Sequence, residues 1–464
     1  MSWFYKPTDR EIYKIAIPAF VGYLAFILFD VTDIFWMGKA GTSAVAGFSS
    51  GGFLSWVMLS AMNATNVGAN SLIAQAYGAK KGKLAKRLAH EAAWLSLAAS
   101  LLFGLIVFFS REALFRFMGL TASTSLHANS YIVTYLIFYP AFYLCQLFGS
   151  IFNAYGDTKT NVIIMSSSVV INMLLDPILI LGYGTGLPLG VKGAVLASSS
   201  ATVCALITQF IYLRKRNYIA PLKVLLMLPS FRYAKAILGI GLPSACTAVT
   251  WSFVYPLMTP IISRFGMEPL AAIKVCFSME SFPYDLGMSF SMAMAALVGQ
   301  AYGREDYKQV REIVKRGCQI LSVLLVPMVL CFIFIPDKLG AMLNPDPNVV
   351  KHVKDYLFII GLGELLLGWE LLFQGAFNGL GLSKTYMAVL LPLTIVRLPV
   401  AYLMAITFGL GTIGIWFTVT VTTALKGSLL CLLFFKGKAV SNLLKPQMPE
   451  SMPLNNKLQL IGKP

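Results

Sequence analysis

Only three histidines occur in the chain, His90, His127 and His352, and they lie too far apart in sequence to read as one metal-ligand cluster. The seven cysteines form no C-x-x-C pair. All seven fall in apolar stretches, which argues for packing residues rather than a disulfide frame or a zinc site. G-x-x-x-x-G-K-[ST] is missing, so ATP hydrolysis within this chain is not expected. H-E-x-x-H and G-x-S-x-G are missing too, and with them the usual marks of a zinc protease and a serine hydrolase. Neither enzymatic activity nor a cofactor is expected. Charge is also scarce. Asp, Glu, Lys and Arg make up 12% of the residues, against about 25% in a soluble globular chain.

Apolar residues fill the space that charge leaves. They make up 57% of the 464 residues, and the mean hydropathy is +0.72. Apolar stretches fall near 12–37, 44–76, 88–110, 126–155, 160–183, 189–213, 236–263, 269–301, 313–336, 354–380, 385–408 and 411–435. Each is long enough to cross about 30 Å of hydrocarbon as a helix. The expected fold is therefore an all-α integral membrane protein of twelve transmembrane helices, solvated by lipid. Ile12–Trp36 is long enough to span and has no small-residue cleavage site, so it reads as a mature helix rather than a signal peptide.

The net charge of +17 could suggest a nucleic-acid partner, but its distribution points to membrane topology. Lys80, Lys81, Lys83, Lys86 and Arg87 fill one loop. Arg214, Lys215 and Arg216 fill another, and Arg304, Lys308, Arg311, Lys315 and Arg316 a third. The alternate loops hold few: Lys39, Arg111, Arg116, Lys192, Arg264 and Lys338. By the positive-inside rule both termini are cytoplasmic, in the plasma (bacterial inner) membrane, and no nucleic acid is expected to bind.

The strongest signal is an internal repeat at a constant offset of 225. AQAYGAKKGKLAKR at 74–87 matches GQAYGREDYKQVRE at 299–312, pairing Gln75 with Gln300 and Tyr77 with Tyr302. IAIPA at 15–19 matches IGLPS at 240–244, pairing Pro18 with Pro243. LFGSIFNAYGDTKT at 147–160 matches LFQGAFNGLGLSKT at 372–385, pairing Asn153 with Asn378. Six helices in each half give parallel repeats about an axis along the membrane normal. The expected divisions are an N-lobe at 1–213, a cytoplasmic linker at 214–235, a C-lobe at 236–440 and a polar cytoplasmic tail at 441–464.

With that repeat in view, the chain resembles the multidrug and toxic compound extrusion (MATE) family from about Ile12 to about Lys436. The resemblance is carried by the helix-1 proline in IAIPA, by DIFWMGKAGTSAVAG at 33–47, by the two Q-x-Y-G helix ends and by NMLLDPILI at 172–180. It implies a V-shaped antiporter that exports cationic or amphipathic compounds against a proton or sodium gradient. A monomer among membrane lipids is expected. A lipid or lipid-linked oligosaccharide flippase of a related branch is the alternative. The DinF-type branch is the most similar. Its N-lobe cation site maps onto Asp33, Asn172 and Asp176, with a hydroxyl at Ser198 and a pocket tyrosine at Tyr131. The sequence departs from the family pattern at Asn153 and Asn378, where arginine is expected. It departs again at TWSFVYP, 250–256, where a helix-7 acid is expected.

The residues themselves support a site. Asp30 and Asp33 are three apart and Asn172 and Asp176 four apart, so each pair shares a helix face. Acids that persist at membrane depth usually face a protein interior or a wet cavity. If the two faces meet, the carboxylates titrate as one cluster that can exchange a proton or bind Na⁺ through oxygen ligands. The alternative is that they only bond neighbouring helices. Pro18 removes a backbone hydrogen bond inside helix 1 and is the candidate hinge, or else a static kink. In the second half, Glu280, Glu364 and Glu370 accompany Arg397 and Lys426. Both signs are present, so these residues read either as internal ion pairs or as a second substrate or coupling site. Arg397 stands at the repeat position of Asn172. Met258 and Ala401 stand at those of Asp33 and Asp176, so the acid pair belongs to the first half alone.

Overall fold

The computed structural model describes residues 6–444, and all their regular structure is helical. The first half comprises α1 (Pro7–Ala40), α2 (Thr42–Ala61), α3 (Asn63–Gly78), α4 (Gly82–Phe117), α5 (Ala122–Ala154), α6 (Thr158–Leu181) and α7 (Val191–Lys215). A single turn, α8 (Leu222–Leu225), follows. The second half comprises α9 (Ala234–Ile262), α10 (Met267–Gly303), α11 (Tyr307–Phe334), α12 (Pro336–Leu343), α13 (Pro347–Gly379), α14 (Ser383–Tyr402), α15 (Gly411–Lys436) and α16 (Lys438–Leu443). The helix starts repeat at the offset read from the sequence. Residues 42, 82, 122 and 158 open helices in the first half, and 267, 307, 347 and 383 open their counterparts.

Eleven helical segments among the described residues are long and apolar enough to cross a membrane. The twelfth span is α10, the counterpart of α2 and α3 together. Lys274, Glu280 and Asp285 interrupt its apolar character, and much of its length is buried in the protein. Large apolar side chains such as Leu102, Phe109 and Leu174 are exposed on the outside, where a bilayer replaces water as solvent. The chain is thus a multi-pass, all-helical membrane protein.

The chain packs as two compact units, whose borders differ from the expected lobes. The N unit runs from Val21 to Ala245, and the C unit takes the chain up to Phe20 together with the chain from Cys246. Hence α1 begins in the C unit and ends in the N unit, and α9 does the reverse. The two borders, 20/21 and 245/246, are themselves 225 apart, and each lies two residues beyond a repeated proline, Pro18 or Pro243. The expected linker, 214–235, belongs to the N unit. Of the expected polar tail, residues 445–464 lie outside the described residues, and α16 occupies most of what precedes them.

In the N unit α5 is the hub, with α2, α3, α4 and α7 packed on it and α6 against α7. Its counterpart α13 is the hub of the C unit, receiving α10, α11 and α15. The start of α9 crosses α3 at backbone contact. A Cβ on Gly68 would lie 2.0 Å from the Ile237 carbonyl oxygen, and one on Gly241 2.0 Å from that of Ala64. Only glycine permits that approach. Asn153 and Asn378 have the same task in the two units. Thr158 Oγ1 donates to Asn153 Oδ1 at 3.0 Å, and Ser383 Oγ donates to Asn378 Oδ1 at 2.7 Å. Each asparagine ties the end of a hub helix to the first residue of the next helix. The asparagines that stand where arginine was expected thus make matching polar ties in the two units.

Candidate cation and substrate site

The acid pair expected from the first half meets inside the N unit. Asp33 on α1 and Asn172 and Asp176 on α6 are all buried, at 4%, 0% and 0% exposure. Asn172 Nδ2 donates to Asp176 Oδ1 at 3.2 Å and to Ser198 Oγ, on α7, at 3.2 Å. Asp33 lies close enough to interact with the side chains of both Asp176 and Asn172. One oxygen of each remains buried without a protein hydrogen-bond partner: Asp33 Oδ1, Asn172 Oδ1 and Asp176 Oδ2. Buried polar atoms are normally paired, so this convergence offers unused oxygen acceptors to a proton, a cation or a water. No group of three or more His, Cys, Asp or Glu side chains suited to a metal ion occurs among the described residues. The donor set here is two carboxylates, an amide and a hydroxyl. All are hard oxygen ligands, suited to a proton or an alkali cation rather than a transition metal.

A helical repeat of oxygens brings the set together. Asn172 and Asp176 share a face of α6. Ser198 faces them because its own proton goes to the Ala194 carbonyl at 3.0 Å, leaving its lone pairs to accept from Asn172. The second half keeps the geometry and changes the chemistry. Arg397 and Thr423, each 225 residues on, meet with Nη2 donating to Oγ1 at 2.8 Å. Met258 and Ala401, at the places of the two acids, are buried in the apolar core of the C unit.

Tyr131, on α5, stands beside the acids. Its hydroxyl is 3.3 Å from Ser55 Oγ and within electrostatic reach of Asp33 and Asp30. Its ring meets Phe48 edge-on, with centroids 5.4 Å apart. Gly51 makes room for it, since a Cβ there would come within 2.6 Å of the ring. Asp30, one turn before Asp33, is exposed rather than drawn into the buried cluster. Sequence reasoning missed Ser55 and the run of tyrosines beneath Tyr131. Tyr135, Tyr139 and Tyr143 continue the face at four-residue spacing, and their neighbouring ring centroids lie 5.9–6.2 Å apart. Tyr139 donates to the Met58 carbonyl and Tyr143 accepts from Thr65 Oγ1. The i, i+4 spacing of the tyrosines was the available signal.

The candidate residues of the second half separate into two groups. Lys426 Nζ donates to Glu370 Oε1 at 3.0 Å, and both are buried. Arg397 donates to Thr422 Oγ1 and Thr423 Oγ1, both at 2.8 Å. Arg397 and Lys426 also stand over the ring of Trp251, at 5.4 and 5.3 Å from its centroid. Trp251 thus occupies the α9 stretch where an acid was expected. Glu280 accepts from the Tyr356 hydroxyl at 2.8 Å. It also lies close enough to Glu364 for the two carboxyl groups to interact. Glu364 is buried, with neither oxygen bonded to a protein donor. Pro18 sits within α1, which runs through it as one helix.

The family model MatE matches residues 18–178 and again 243–403, two copies displaced by the same 225 residues. The chain therefore belongs to the MatE family. It is 26% identical over 432 residues to a probable multidrug resistance protein NorM of Thermotoga maritima, covering 92% of each chain. It is 23% identical over 409 residues to the multidrug export protein MepA of Staphylococcus aureus, covering 87% of this chain and 89% of that one. Its fold is that of the Vibrio cholerae MATE transporter VcmN in its bent form. The TM-score is 0.86 at 19% identity, over 95% of this chain and 99% of that one.

Proposed function

We propose that the protein is a cation-coupled antiporter that exports amphipathic or cationic organic compounds by alternating access. The buried meeting of Asp33 and Asp176 through Asn172 carries this reading. Two carboxylates with unpaired oxygens in a low-dielectric interior need a positive charge near them, which H⁺ or Na⁺ supplies. Binding the cation neutralises the cluster, and releasing it restores the charge. Asp33 sits on α1, the helix that begins in one compact unit and ends in the other. A change of charge there can be passed along α1, with Pro18 as the hinge.

Tyr131 and the exposed Asp30 lie at the edge of the cluster and are the substrate-binding side chains of the N unit. An aromatic face beside a carboxylate attracts an organic cation. Glu280 and Glu364 are the candidates in the C unit, while Glu370 is held by Lys426 and serves the interior. The relatives named for multidrug resistance and export support transport of foreign compounds rather than enzymatic chemistry. Both termini face the cytoplasm of the inner membrane, as the basic loops indicate, and the protein acts as a monomer.

Purified protein in vesicles loaded with a fluorescent cationic dye tests this reading. Imposing a pH gradient or a Na⁺ gradient should accelerate efflux, and the effective gradient identifies the coupling ion. Efflux that ignores both gradients would sink the antiporter reading.

A further inference from the structure

The linker is bound to the N unit through polar groups and through Tyr218, Ile219, Leu225 and Tyr233, which pack on its core, and it turns its other large apolar side chains outward. Lys86 donates to Asn217 Oδ1 at 2.6 Å, and the Tyr155 hydroxyl donates to the Tyr218 carbonyl at 3.1 Å. Further along, Trp94 Nε1 donates to the Leu225 carbonyl at 3.0 Å, and His90 Nε2 lies 2.9 Å from that of Met227. Glu91 closes the series, accepting from Ser230 Oγ at 2.9 Å and from the Tyr233 amide at 2.7 Å. On the other side Leu222, Val224, Leu226, Met227, Leu228 and Phe231 are exposed, Leu228 at 76% and Leu226 at 70%. Phe231 holds a left-handed φ of 52°, rare for a bulky residue, beside this outward face.

The charge is one-sided as well. Between Arg214 and Lys235 the sequence has six Lys and Arg and no Asp or Glu. The segment joins two spans, α7 ending at Lys215 and α9 starting at Ala234, so it is held at the level where those helices leave the bilayer. A water-facing linker has no reason to expose six large apolar side chains together. Apolar residues facing out with a basic fringe are the marks of a segment lying in the headgroup zone of an anionic leaflet.

We infer that residues 221–232 form an interfacial anchor for anionic phospholipid. The apolar side chains enter the acyl boundary, and Lys215 and Lys223 meet the headgroups, while Arg216 is paired with Asp157 at 3.8 Å. The leaflet is favoured over a cytosolic protein because the segment itself carries no acid and is tethered between two spans.

The test places a nitroxide at Leu228→Cys, in a chain whose exposed Cys204, Cys246 and Cys331 are serines. The protein is reconstituted in vesicles of phosphatidylcholine alone or with added phosphatidylglycerol. Collision with oxygen should rise, and collision with a water-soluble nickel chelate should fall, when phosphatidylglycerol is present. Lys215→Gln with Lys223→Gln should reverse that change. A label equally open to the nickel chelate in both vesicles would overturn the anchor. A label equally protected in both, and indifferent to the lysine substitutions, would overturn the recognition of anionic lipid. The readout needs no transport, so it stands apart from the antiporter reading.

Discussion

Glu91 and Arg316 occupy the same place in the two halves, 225 residues apart, and grip their partners with opposite charge. Glu91 on α4 accepts from Ser230 and from the Tyr233 amide, just ahead of α9. Arg316 on α11 donates from Nε to Asp9 Oδ1 at 2.8 Å and from Nη2 to Asp9 Oδ2 at 2.5 Å, in the first turn of α1. In each case the third span of a half holds the start of a helix that ends in the other unit. A carboxylate suits bare amides at a helix start, whereas a guanidinium fork suits the Asp9 carboxylate. The duplicated contact survived while its chemistry was inverted.

Breaking the buried Arg316–Asp9 pair from one side should cost more than removing it whole. Arg316→Met leaves Asp9 buried without its partner, for about 3–5 kcal/mol of destabilisation. Adding Asp9→Asn should recover a good part of that loss. Thermal unfolding of the detergent-solubilised protein gives the comparison. Additive losses would show that the two side chains are not coupled.

Asp33→Asn and Asp176→Asn should each lower gradient-driven dye efflux by about tenfold or more, the effect of losing roughly 1.4 kcal/mol of cation binding. Expression and thermal stability should be kept. A variant that still responds fully to the gradient would remove its residue from the coupling site without touching the fold.

Lys426→Met should strand Glu370 in the interior of the C unit, for a loss of about 3–5 kcal/mol. Glu370→Gln with Lys426→Met should be more stable than Lys426→Met alone. Thermal stability decides this, and equal stability of the single and double variants would count against a structural pair.

Gly51→Ala drives a methyl against the Tyr131 ring. It should destabilise the N unit by about 1–3 kcal/mol, as overpacking does, and weaken dye binding. Tyr131→Phe keeps the packing and loses only the hydroxyl near Ser55, so it should change binding alone. Titration of dye fluorescence against each variant separates the two effects.

Pro18→Ala restores a backbone donor inside α1 and should slow gradient-driven efflux while leaving dye binding unchanged. Efflux at the wild-type rate would reduce Pro18 to a static feature.

Much of the architecture could be read before any coordinates, because apolar length and the 225-residue offset are properties of the chain alone. The family model's two copies fall at that same offset. The face-sharing spacing of Asn172 and Asp176 was legible from helix geometry, and Ser198 came from family resemblance. Their contact with Asp33 needed tertiary packing. The unit borders were not legible, since no change in composition marks Phe20 or Ala245. That the start of α9 belongs to the N unit follows from backbone contacts at Gly68 and Gly241. Asn153 and Asn378 stood out as departures from a pattern, but only their bonds to Thr158 and Ser383 showed a purpose. The stretch 250–256 was noticed for lacking an acid, whereas the service of its Trp251 to Arg397 and Lys426 required three helices to be in place.

The divided membership of α1 has a consequence for biosynthesis. Asp9 is translated well before its partner Arg316, which follows 307 residues later. At about 5–20 residues per second the acid waits roughly 15–60 s for its counter-charge. Glu91 meets Tyr233 after only 142 residues. The N unit can therefore close while the ribosome is still working, but the opening turns of α1 cannot settle until most of the polypeptide has emerged. A chain stopped short of Arg316 would leave Asp9 with the Lys6 amide but without its guanidinium partner, so the start of α1 is among the last parts of the fold to be fixed.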